Sequence, residues 1–280
     1  MVKRLHFSEY TELTLEMVEE ILELASEKNK YLDRLLDRIS RDTFEEIKKE
    51  IYKLVKDGKL DLTHKIRLDD FPVLYQELKK VERASQQAFI NWMWMGEQVI
   101  QDCMTQAYKI ANVRTNLIYG RPQIAPVVHT QITDTAIYQN RVKIPWCKDG
   151  KTYSDRIYRN VSQFSDKLAY VLEEGVTNGR GMEWMEKAWR QLTHATASDT
   201  ARLLKTEVSA MQNEGMRDAM LDMGIEYIEI VGDAACGSIC TEFIGEVLPL
   251  RDAEVGGDLP PYHPYCVCTF VSYTDGSEEI

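Results

Sequence analysis

Five side chains with soft donor atoms crowd the last quarter of this 280-residue sequence. Cys236 and Cys240 stand in Cys-Gly-Ser-Ile-Cys, and His263, Cys266 and Cys268 in His-Pro-Tyr-Cys-Val-Cys. Thiolate and imidazole are the donors that Zn²⁺ prefers, in tetrahedral sets of four, and two short ligand-bearing turns can deliver them. The 22 residues between Cys240 and His263 are enough for a loop joining two such turns. Five candidates for four places leave at least one bystander. Cys266 and Cys268 are alternate residues, which in a strand point to opposite faces. Three readings of the group stand: a structural zinc, buried thiols acting as small hydrophobes, or a disulfide. A catalytic zinc fits less well, because it keeps an open water position and a nearby general base, and the pattern H-x-E…P-C-x-x-C is absent.

The other chemistry in the chain is sparse. Cys240 or Cys266 with His263 could on paper serve a metal- or thiol-dependent hydrolase, but many Cys/His pairs meet that requirement. No phosphate-cradling loop, dinucleotide fingerprint, H-E-x-x-H or G-x-S-x-G occurs. His6, His64, His129 and His194 stand apart from any cysteine or carboxylate constellation. Cys103 reads as helix packing.

The elements that must position the cluster follow from periodicity. Residues 10–58 carry apolar residues at helical spacing, with Ser40 or Asp42 as a cap that breaks the run into an αα-hairpin and Gly58 as its stop. Residues 61–72 form a polar connection. From Leu74 to Ala107 the same period continues without proline, which predicts a helix over 73–112 about 60 Å long. A compact globule of this size measures roughly 50 Å across, so the helix implies an elongated molecule or a neighbouring chain. Phe89, Trp92, Met93, Trp94 and Met95 cover more than one face of it, as core or as a contact surface. Residues 121–150 read as extended segments and turns. Helices are then expected over Asp155–Glu174, Met182–Leu192 and from Ser198, as N-cap, to Met223, with Gly224 as C-cap. Glu226–Val231 alternates like a strand. The expected fold class is α+β, mainly α, with an elongated helical N-terminal half and a small Cys/His-rich β/loop module at the C-terminus. The regions are 1–120 (helical), 121–150 (connecting), 151–224 (helical) and 225–280 (acidic, Cys/His-rich).

Charge narrows the function classes. Residues 225–280 hold eleven acids against one base, Arg251, and so account for nearly all of the net charge of −11. Affinity for nucleic acid comes from Lys and Arg displacing counterions, so this stretch is a poor grip for DNA and a better match for a basic protein surface or solvent. The neutral first half offers Lys48-Lys49, Lys53, Lys56, Arg156 and Arg159 as the candidates for DNA contact. The most apolar stretch, Ala88–Ile100, is interrupted by Asn91, Glu97 and Gln98 and falls short of the roughly 20 residues a membrane span needs. Residues 1–14 have no apolar h-region, which leads to the expectation of a chain made in the cytoplasm, where cysteines stay reduced.

Several spaced features in one order resemble a known family. These are Asn178-Gly179 ending a helix, the helix Met182–Leu192, and Lys205-Thr206-Glu207 followed by Asn213. After the strand come Asp233, Cys240, Gly245 and His263-Pro264-Tyr265-Cys266-Val267-Cys268. Residues from about 140 to 273 are similar in this to the Mu-F-like minor head proteins of tailed bacteriophages. Lys205 stands where the family has Arg, Val267 replaces an Arg, and Cys236 sits one place from the first cysteine of Cys-x₂-Cys members. The resemblance implies a non-enzymatic virion protein inside the capsid, made in the host bacterial cytoplasm and acting in head assembly or DNA delivery. It implies multiple copies per particle, a portal protein and a major capsid or scaffolding protein as partners, weak nonspecific contact with packaged DNA, and no membrane insertion.

Overall fold

The chain is built mainly from four long helices, with a three-stranded sheet attached to the last of them. The structure, a computed structural model, describes residues 7–66, 72–120 and 134–273. The order is α1 (Phe7–Lys56), α2 (Pro72–Tyr119), a short α3 (Asp134–Ile137) running into a π turn (Tyr138–Val142), α4 (Tyr153–Thr177), α5 (Gly181–Asp222), β1 (Tyr227–Val231), a 3₁₀ turn (Ala234–Cys236), α6 (Ser238–Phe243), β2 (Val247–Pro249) and β3 (Thr269–Ser272). No described helix is both long and apolar enough to cross a membrane.

Three expectations about these elements are corrected. Helix α1 runs unbroken through residues 40–43, so there is no αα-hairpin there. Ser40 does not cap a helix, because its hydroxyl is used elsewhere: it accepts a hydrogen bond from the Trp189 indole at 2.7 Å and pairs with Thr193 at 2.8 Å. It sits in phase with the buried stripe Leu32, Leu36, Phe44, Ile47, Ile51 and Leu54, so apolar burial carries the helix past a residue that favours caps. Likewise α5 is one 42-residue helix through Ser198. The hydroxyls of Thr193, Thr196 and Thr200 donate to carbonyls four residues back, inside the helix instead of ending it. Residues 134–142 are helical where extended chain was expected, and the rest of that segment, 121–133, lies outside the described residues. Ile137 and Val142 are both buried; their spacing of five suits the i→i+5 bonding of a π turn.

Other features follow the sequence. α1 stops before Gly58 and α5 before Gly224, both at positive φ (70° and 75°), which glycine adopts without strain. β1 alternates as expected, burying Ile228 and Ile230 and pairing antiparallel with β2 (Ile228 opposite Leu248) and β3 (Ile230 opposite Phe270) in the order β2-β1-β3. Phe89, Trp92 and Met93 are core, while Trp94 and Met95 are exposed.

The described residues gather into two compact units. One comprises those of Asn29–Gln98 and Asp155–Ala201. Its core is an aromatic group in which Phe89 stacks on Phe164 with centroids 3.9 Å apart, and Trp189 meets Phe44, Phe89 and Phe164. The other comprises those of Met1–Lys28, Val99–Ser154 and Arg202–Ile280 and holds the sheet and the cysteine cluster. Its helices approach closely at Gly215, where an added Cβ would come within 2.4 Å of the Tyr108 carbonyl oxygen. Asn112 uses the same approach to donate to the Gly215 carbonyl. Cys103 is fully buried on α2, and burial pushes its thiol up to about 12, as suits a packing residue.

Candidate metal centre

Two arms bring the donors together. On the first, Asp233 caps the 3₁₀ turn by accepting from the Ala235 amide, and Cys236 ends that turn. Cys240 follows on α6, which starts afresh at Ser238 after extended Gly237 (φ 161°, ψ 159°), so the bend at Gly237 and not a continuous helix face turns both sulfurs of the Cys-x₃-Cys pair toward His263. The second arm is the loop 260–268. Tyr265 there takes a left-handed conformation (φ 64°) next to Cys266.

The four donor atoms of Cys236, Cys240, His263 and Cys266 all lie within 4.8 Å of one another. His263 Nε2 is 3.0 Å from Cys240 Sγ and 3.5 Å from Cys236 Sγ, and the sulfurs of Cys240 and Cys266 are 3.5 Å apart. A tetrahedral ion with metal–sulfur and metal–nitrogen bonds of about 2.3 and 2.0 Å sets ligand–ligand edges of roughly 3.8 Å between sulfurs and 3.5 Å between sulfur and nitrogen. The Cys236–His263 pair already has that separation, the Cys240–Cys266 pair is about 0.3 Å short of it and the Cys240–His263 pair about 0.5 Å short. His263 Nδ1 donates to the Pro264 carbonyl at 2.7 Å, which fixes the tautomer and leaves the Nε2 lone pair facing the sulfurs. The Val267 amide donates to Cys236 Sγ at 3.4 Å. The residues therefore fit a metal ion held by three cysteines and a histidine.

All six cysteines are free, so the disulfide reading has no counterpart here. Cys268, the fifth candidate, lies outside the four-atom set. It is fully buried behind the site, packed with Cys240 and Cys266. Its sulfur occupies the space beside Gly232, where a Cβ would come within 2.5 Å of it. The hydrogen bond from the Cys268 thiol holds Cys266 down to about 5, and the same bond pushes Cys268 up. Burial pushes Cys240 up to about 12. A bound cation would have to displace the Cys240 proton to take that sulfur as a thiolate.

Helix α5 supplies a supporting set that ligand spacing alone does not reveal. Asn213, fully buried, donates to the carbonyls of Pro260 (3.0 Å) and Cys268 (3.5 Å) and accepts from Thr269 Oγ1 (2.9 Å). Thr206 Oγ1 accepts from the Tyr265 amide, and Lys205 lies over the Tyr265 ring. Glu207, also buried, accepts from the Trp146 indole at 2.6 Å. Arg217 donates to the Ala253 carbonyl at 2.7 Å. Thr206, Asn213 and Arg217 lie on one face by their spacing of seven and four. The signal for them in the sequence is the motif order Lys205-Thr206-Glu207 followed by Asn213, and not polarity, because α5 carries charged residues along its whole length.

The remaining histidines play other parts. His64 closes a turn with Asp61 (2.7 Å) and Thr63, and these hydrogen bonds, led by that from Thr63, hold Asp61 down to about 2. His194 lines a groove of about 640 Å³ with Asp33, Ser40 and Trp189; there Arg41 pairs with Asp37 and Arg190 with Glu186. His6 and His129 lie outside the described residues.

No family model, no curated protein and no solved structure matches this chain.

Proposed function

We propose that this chain is a non-enzymatic minor head protein of a tailed bacteriophage, packaged inside the capsid in several copies and associated with the portal. In this reading it acts in head assembly or DNA delivery, and a structural zinc ion stabilises its C-terminal module. The observation that carries the proposal is the ordered motif series. Thr206, Glu207 and Asn213 on one helix, and His263, Cys266 and Cys268 on one loop, come in the order found in that family. Here Thr206 and Asn213 hydrogen-bond the loop directly, so the series describes one physical device and not scattered coincidences.

Zinc is the ion that best suits three thiolates and one imidazole in a tetrahedron. Four protein donors fill such a shell, whereas a catalytic zinc retains a water in its fourth place. That supports a structural ion over a hydrolytic one. The surrounding module has a sheet of only three short strands, and a metal cross-link supplies stability that so small a core lacks.

The test has two parts. Purified chain, prepared with reductant, is expected to carry one zinc per molecule. Intact phage heads are expected to contain the protein at several copies per particle and to yield it together with the portal. Absence from particles would overturn the head-protein reading, and a chain with no bound metal under reducing conditions would overturn the zinc.

A further inference from the structure

The two arms of the metal centre are held very differently. The loop 260–268 is tied at its base by Asn213, which bonds both Pro260 and Cys268, and in its middle by Thr206 through the Tyr265 amide. Its flanks are buried at Leu259, Pro260, Pro261, Cys268 and Thr269. None of these ties passes through a donor atom of the metal set. The arm from Ala235 to Glu246 has the opposite character: of its side chains only Cys240 is buried. Its backbone bonds are local, as from Thr241 to Gly237 and Ile244 to Cys240, apart from two at its end, where the Gly245 amide donates to the Ile230 carbonyl and the Glu246 carbonyl accepts from the Ile230 amide. It meets the loop through the sulfurs of Cys236 and Cys240, the stacking of Phe243 on Tyr262, and the seat of Gly237 under the imidazole.

We infer that helix α5 pre-forms half of the metal site, His263 and Cys266, and that the ion draws in the Cys236–Cys240 arm to complete it. This rests on the metal reading above. Regions with few buried contacts and solvent-facing backbone bonds open at low cost, and without an ion the first arm is kept on the loop by the Phe243–Tyr262 stack, the packing of Ile244 on the cysteine cluster and the bond from the Val267 amide to Cys236, rather than by ties to α5 of the kind that pin the loop. The pinned loop has already lost the freedom that binding would otherwise have to remove, so its two donors capture the ion first. Asn213 and Thr206 are positioning residues in this scheme, because neither contributes a ligand atom.

Hydrogen exchange on the full chain, stripped of metal with chelator under reductant and then reloaded with Zn²⁺, tests the order directly. In the stripped protein the amides of Tyr265 and Cys266 are expected to stay protected while those of Thr241 and Ile244 exchange freely; zinc is expected to slow the second pair. Equal protection of the two arms in the stripped chain, high or low, would overturn the inference. Competition titrations give a second reading. Asn213→Ala and Thr206→Val are expected to weaken zinc binding by about 10–100-fold at unchanged stoichiometry, as losses of outer-shell support do, with Thr206→Ser restoring it. Unchanged affinity in both variants would also sink the scheme. A native chain that binds no zinc at all fails the preceding proposal, whereas one that binds a single ion with both arms ordering together fails only this one.

Discussion

At the scale of single residues, the deciding question is which sulfurs are placed to hold a metal ion. Spacing alone admitted both Cys236 and Cys268, and family-like spacing spoke against Cys236. Geometry reverses that preference: Cys236 Sγ faces His263 Nε2, while Cys268 sits behind the cluster in the space that Gly232 leaves. The sequence could not show this, because the turn at Tyr265 and the extended Gly237 between Cys236 and Cys240 are properties of the folded backbone. Replacing Cys236 with Ser is expected to abolish stoichiometric zinc, and Cys268→Ala to retain one ion per chain, as read by metal analysis and by the charge-transfer and d–d bands of the Co²⁺-substituted protein. The pH dependence follows from the same atoms. Cys240 is raised to about 12 in the metal-free chain and keeps its proton at neutral pH, so binding must expel that proton. Zinc affinity is therefore expected to rise with pH between 6 and 8 in competition with a chelator of known pKa. A flat profile would mean that Cys240 is not a thiolate ligand.

At the scale of elements, the sequence showed which segments are helical better than where they end. Apolar periodicity located all four long helices and the β1 strand. It failed at Ser40 and Ser198, residues whose hydroxyls favour caps in isolation. A buried stripe in phase on both sides of Ser40 outweighs that local preference, since packing and not propensity carries most of a helix's stability. Gly215 is the converse case. A glycine inside α5 reads as a small local cost, yet an added methyl there would press on a carbonyl oxygen of α2, a backbone atom that cannot swing away. Gly215→Ala is accordingly expected to destabilise the chain by about 1–3 kcal/mol, in the range of overpacked cores, despite the better helix propensity of Ala. Urea or thermal denaturation followed by circular dichroism reads the change, and a neutral or stabilising result would contradict the close approach of the helices at this point.

At the scale of the whole molecule, linear reading and three-dimensional contact answer different questions. Composition divides the chain into consecutive stretches, whereas contacts gather the described residues of Met1–Lys28, Val99–Ser154 and Arg202–Ile280 into one unit. Periodicity shows that a helix face is apolar but not which other face will cover it. Charge is the property that does carry over from sequence to molecule, and it bears on whether DNA is among its ligands. Three of the four lysines offered for DNA contact on α1 are engaged: Lys48 with Glu45 and Glu186, Lys49 with Glu46, and Lys53 with Glu50. Residues 225–280 add eleven acids and one base. Few counterions would be displaced from DNA by such a surface. Titrating a fluorescent 20-base-pair duplex by anisotropy is thus expected to show no saturable binding by micromolar protein at 150 mM salt, and a shallow salt dependence where binding appears at lower salt. A site with six or more phosphate contacts would instead lose about 10³–10⁵ in affinity between 50 and 200 mM salt. That steep response, if it mapped to Lys48, Lys49 and Lys53, would show that these lysines exchange their glutamate partners for phosphate, and DNA would then have to count among the ligands of this protein.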